Sequence, residues 1–157
     1  MKYGNFILKF TVVYVLTYLF FGIVFFSLIT HSYYKEGGAF TGFLVSTSDE
    51  EKWKQIQIWM IPVQIFRSVL LGSVLFLIWK NIDKISFLKK FVFLWSFLGI
   101  VGGFASDLPS PGNLEGMLYM NQAITWKIHI EIFLEVIVQS ALFSLIFTLW
   151  MKRDSDQ

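Results

Sequence analysis

The sequence contains no cysteine. Disulfide frameworks, thiolate metal sites, thiol redox chemistry and a cysteine nucleophile are therefore excluded together. Histidine is almost as scarce: His31 and His129 are the only two in 157 residues, leaving little material for a metal or haem site, so no cofactor is expected. Charged residues make up only 15% of the chain, too few for an ordinary soluble surface, and the formal net charge is +2. The basic residues are scattered among short connections, so no coherent patch exists to neutralise a phosphate backbone, and nucleic acid is not an expected partner. No G-x-S-x-G elbow, H-E-x-x-H pair, P-loop or dinucleotide fingerprint occurs, nor any internal repeat or low-complexity tract.

Apolar residues are what the chain has in excess, at 55% hydrophobic and 19% aromatic. They fall into four runs, at residues 6–30, 56–79, 88–105 and 128–151, each near the roughly 20 residues that a bilayer demands. The expected fold is all-α: a polytopic membrane protein with one domain over 1–157, built as a bundle of four transmembrane helices. The first run, behind Lys2 and Lys9, has the look of a signal peptide. It is read as a retained anchor, because Phe10 to Ile29 exceeds the roughly 7–15 residues of a signal core and Leu28, Ile29 and Thr30 offer no small-x-small cleavage site.

Lysine and arginine set the expected orientation. Lys80, Lys84, Lys89 and Lys90 stand against one acid, Asp83, between runs two and three, and Lys152 and Arg153 follow run four. Those segments belong on the cytoplasmic side of a plasma membrane, which puts both termini inside and the 31–55 and 107–127 loops outside. The four lysines also invite anionic lipid. In the first outer loop, Ser48, Asp49, Glu50 and Glu51 read as a capping box that starts a short extracytoplasmic helical extension before span two, and Pro62 should kink that helix as it enters the membrane. The second outer loop, Asp107 to Gly116 with Pro109, Pro111 and Gly112, reads as a turn-rich cap without regular helix. Its acids Asp107 and Glu115 read as solvated.

Three charges stand out because they lie where charge is expensive. Arg67, one of two arginines against eleven lysines, sits among Phe66, Val69, Leu70 and Leu71, while Glu131 and Glu135 sit inside run four. Trp59 and Trp79 bracket a midpoint near Val69, and Trp126 and Trp150 bracket Val138, so Arg67 and Glu135 are expected level, roughly 3 and 4–5 Å outward of centre at the helical rise. Glu131, Glu135 and Gln139 share one stripe, facing Gln64, Arg67 and Ser68 on the other helix. The expectation is an Arg67–Glu135 ion pair joining spans two and four, with Glu131 and Gln64 beside it and one carboxylate in surplus.

Smaller features carry structural expectations. Gly99 and Gly103, extended by Ser96 and Ser106, and the ladder Ser140, Ser144 and Thr148 should serve helix packing within the molecule. Tyr14, Thr17 and Tyr18 place hydroxyls in span one, and His129 should be an interfacial histidine facing away from Glu131. The leading functional expectation is a non-enzymatic membrane protein whose polar site, Arg67, Glu131, Glu135, Gln64 and Gln139, opens outward and binds or helps move a small polar or ionic ligand. The alternatives are an accessory subunit whose buried charges hold helices together or recruit a partner membrane protein, and a membrane enzyme using the two carboxylates on a lipid-linked substrate. Membrane lipids are expected partners in every case.

Overall fold

A computed structural model describes residues 2–104, 110–120 and 123–155, with only the backbone for 104, 154 and 155. Ala105, Ser106, Asp107 and Pro109 lie outside the described residues. The chain is 81% helical, and no strand occurs among the described residues. In order, the helices are α1 (Tyr3–Phe25), α2 (His31–Tyr34), α3 (Glu50–Ile82), α4 (Phe87–Gly99), α5 (Leu114–Tyr119) and α6 (Trp126–Ser155), with π turns at Phe26–Thr30 and Ile100–Phe104.

Three helical stretches are long and apolar enough to cross a membrane: Tyr3–Tyr34, Glu50–Ile82 and Trp126–Arg153. Their outward faces carry exposed Leu8, Leu16, Ile23, Ile58, Phe66 and Leu77. A water-facing surface of that kind would aggregate, whereas hydrocarbon accepts it without cost, so this is a membrane protein. The third apolar run is shorter: α4 has 13 residues, and its π turn carries the helical path to Phe104.

Neighbouring helices run antiparallel, and the packing follows small residues. On α3, Gly72 lets Phe10 and Ile7 of α1 approach so closely that an added Cβ would sit 3.2 Å from them. Hydroxyls extend that seam, with the Ser68 Oγ donating to Thr11 Oγ1 at 3.0 Å and Tyr3 bonded to Ser73 at 2.7 Å. The expected glycine and serine ladders meet each other between α4 and α6: a Cβ on Gly99 would lie 3.4 Å from Ile137 and 3.6 Å from Ser140. Trp95 fixes this pair by donating its indole N–H to the Ile137 carbonyl at 3.0 Å. Thus α1 packs between α3 and α6, and α6 packs between α1 and α4.

At one end the helices close on an aromatic core, where Phe6, Phe10, Phe143, Phe147 and Trp79 stack with ring centroids 4.9–6.3 Å apart. Lys9 belongs to this end and is buried, its ammonium 5.4 Å above the Trp150 ring. The Lys80–Lys90 connection lies at the same end, where Lys90 pairs with Asp83 at 2.7 Å.

The opposite end is covered by the two long connections, whose Phe40 and Ile124 pack with Ile128 against Tyr33, Tyr34 and Ile132. The first connection also caps α2, since Phe40 N–H donates to the Tyr33 carbonyl and Thr47 N–H to that of Tyr34. The cap of α3 falls one residue later than expected. Asp49, not Ser48, is the N-cap, its carboxylate accepting from Lys52 N–H at 3.2 Å and pairing with the Lys52 ammonium at 2.8 Å. A charged acceptor outcompetes a hydroxyl at a helix start. The second connection contains the short helix α5, which the expected irregular cap left out. Asn113 starts it by accepting from Gly116 N–H at 2.6 Å, and no proline follows Pro111 to prevent the turn.

Candidate functional site

A cavity of about 270 Å³ opens between α1, α3, α4 and α6. Tyr14, Thr17 and Tyr18 reach it from α1, Tyr34 from α2, Arg67 and Leu71 from α3, and Glu135, Gln139 and Ser140 from α6. Leu98, Val101 and Gly102, with Ile132, Val136 and Phe143 of α6, form its remaining wall. Arg67 is exposed and stands at the rim, whereas Glu135 and Gln139 are half-buried. The level placement expected for Arg67 and Glu135 therefore brings them to one cavity.

It does not bring them together. Among the described residues, no ion pair within 4.0 Å and no hydrogen bond within 3.5 Å holds either the guanidinium or the Glu135 carboxylate. The expected Arg67–Glu135 pair is absent because α1 packs between α3 and α6, the helices that carry the two charges. Position along a helix does not give the lateral order of helices.

Glu131 belongs to a different group. Tyr33 donates its hydroxyl to Oε2 at 2.5 Å, and the Lys127 ammonium lies 3.7 Å from Oε1, an i, i+4 pair at the end of α6. Glu131 thus joins α2 to α6 and does not line the cavity. Gln64 is 7% exposed and lies beside the Tyr18 hydroxyl, with its amide oxygen buried and unpartnered among the described residues. Gln139 does line the cavity, as its place on the Glu135 stripe implied.

Tyr34 escaped the sequence reading, and the reason is local. In the π turn Phe26–Thr30 the chain carries an extra residue per turn, and the Thr30 hydroxyl is directed to the Phe25 carbonyl five residues back at 3.4 Å. The residues beyond are rotated relative to a regular helix, which carries Tyr33 to Glu131 and Tyr34 to the cavity. A composition of aromatic residues without proline or glycine gives no warning of such a turn.

The cavity polar groups are of two kinds. Thr17 and Ser140 spend their hydroxyls on carbonyls of their own helices, at 2.8 Å to Val13 and 2.6 Å to Val136. Arg67, Glu135, Gln139 and the hydroxyls of Tyr14 and Tyr34 make no such bond among the described residues, and the Tyr18 hydroxyl is bonded to the Gln64 side chain. A cation, a carboxylate, an amide and three phenols facing one space can bind a polar guest by charge-assisted hydrogen bonds. No cluster of three or more His, Cys, Asp or Glu able to hold a metal ion occurs among the described residues.

His129 is buried within the protein. Its Nδ1 accepts from Gly112 N–H at 3.1 Å, fixing the tautomer with the proton on Nε2 and anchoring the second connection to α6. Gly112 needs its φ of +87°, and a Cβ there would stand 2.8 Å from Ile132. No protein-family model, curated protein or solved structure matches this chain.

Proposed function

We propose that this membrane protein binds a small polar or ionic ligand in the cavity bounded by Arg67, Glu135 and Gln139, and helps it move into or across the bilayer. The observation that carries the reading is the set of opposite charges sharing about 270 Å³ of space without spending themselves on each other. Ionisable groups inside a membrane persist when they pair, line a wet cavity or do work. Pairing within the protein is not what occupies these two, which favours a guest over a structural clamp. In this reading α4 and its π turn form a fourth span that completes a four-helix bundle, with the Lys80–Lys90 connection and both described ends of the chain on the cytoplasmic face of a plasma membrane.

Purification in mild detergent, followed by native mass spectrometry, tests the proposal. The full chain is expected to retain an adduct that Arg67→Gln and Glu135→Gln lose while melting near the parent temperature. A chain that carries no adduct, and whose Arg67→Gln variant melts far lower, would instead be the accessory subunit with structural charges.

A further inference from the structure

Arg67 and Glu135 make contradictory demands on any singly charged guest. An anion on the guanidinium would face the carboxylate across the same small cavity, and a cation beside the carboxylate would face the guanidinium. A neutral guest would strip water from both charges and compensate neither. Each of these leaves one charge desolvated and opposed.

The cavity walls separate the two demands. The carboxylate of Glu135 shares the cavity with the phenol rings of Tyr14, Tyr18 and Tyr34, of which Tyr18 and Tyr34 lie within its field. Ring faces attract a cation, an alkylated ammonium above all, and the hydroxyls of Tyr14 and Tyr34 and the Gln139 amide have no hydrogen-bond partner among the described residues, while the Tyr18 hydroxyl is bonded to the Gln64 side chain. Arg67 on the opposite helix offers a planar fork suited to a phosphate or carboxylate. The volume falls just below the roughly 300–1,000 Å³ of pockets that hold drug-sized molecules, which fits a solute or headgroup of small size.

We propose that the ligand is a zwitterion, with an ammonium group held by Glu135 and the three tyrosines and a phosphate or carboxylate held by Arg67. This narrows the binding function proposed above and rests on it. Charge neutrality of the filled site is the physical core: guest and host cancel at both ends, so the complex enters low dielectric with no net charge.

The test uses the purified full chain in micelles, titrated by calorimetry with phosphocholine, glycine betaine, choline and inorganic phosphate at matched ionic strength. At least one of the two zwitterions is expected to bind about tenfold or more tighter than either single-charge probe. In Arg67→Gln that zwitterion should fall to within about threefold of choline, and in Glu135→Gln to within about threefold of phosphate. Arg67→Lys, which keeps the charge and loses the fork, should lie between the parent and Arg67→Gln.

Nanodiscs of phosphatidylcholine and of phosphatidylglycerol distinguish the sources. Retention of the first lipid over the second in native mass spectra assigns the zwitterion to a headgroup, whereas binding of free zwitterion without lipid retention assigns it to a solute, and both support the proposal. Choline or phosphate binding as tightly as both zwitterions would overturn it and leave a site for one charge. No binding by any probe, with no adduct retained, would overturn the binding function as well.

Discussion

Arg67 carries the most consequential prediction at the scale of single residues. Breaking a buried ion pair costs about 3–5 kcal/mol because the surviving charge is stranded, but Arg67 has no partner to strand. Arg67→Gln should therefore change stability by less than about 1 kcal/mol, within the range of an exposed substitution, as read from detergent melting. His129→Leu should do more harm, since it leaves the buried Gly112 N–H without an acceptor at about 1–3 kcal/mol. Gly112→Ala should cost a similar amount through its left-handed backbone and the contact with Ile132. Asp49 gives a pH signature. The Lys52 side chain bonded to it, together with the Lys52 amide, holds its carboxyl below the usual 3.8. Its cap is thus complete above that value and is lost as pH falls through the depressed one, with faster amide exchange at Lys52 as the readout. The sequence showed which charges were anomalous, because arginine and glutamate are conspicuous among leucine and phenylalanine. It did not show that Glu131 would be satisfied by Tyr33, a contact between residues 98 positions apart.

The helices add constraints that no residue shows alone. Gly99 and Gly103 were conspicuous by their spacing, yet the tightest approach on that face is Gly102, where a Cβ would meet Val136 at 3.1 Å against 3.4 and 3.7 Å at the other two. A side chain there requires Val136 to give by a few tenths of an ångström. Gly102→Leu should destabilise by about 1–3 kcal/mol through overpacking while Gly99→Ala stays near neutral, which a pair of melting curves will resolve. The π turn explains why spacing misleads here: Ile100–Phe104 does not follow the 3.6-residue period on which a G-x-x-x-G match depends. Gly72 shows the complementary failure, a lone glycine with no motif around it that nonetheless sets the distance between α1 and α3. By contrast the extension of α3 ahead of its apolar run was legible, since acidic residues at 49–51 followed by regular helix formers leave the backbone few other options.

On the scale of the whole molecule, the membrane setting is the part most legible in composition, because hydrocarbon thickness acts on long segments and averages over local detail, while lysine placement supports the proposed orientation. The absence of native cysteine makes its test clean. A cysteine at exposed Glu36 should react with an impermeant maleimide on intact cells, and one at exposed Lys84 only after permeabilisation; labelling of both from outside would refute the assigned orientation. Lateral order is the part that composition leaves open, since every pair of apolar helices satisfies the same burial. Here α3 and α4 each pack on one inner helix and not extensively on each other, and the connections cover the end of the cavity nearest Tyr34. Under the proposed function, traffic to the Arg67 rim would come sideways, between two helices and through acyl chains, so its rate should track how fluid the surrounding lipid is and slow abruptly when that lipid freezes.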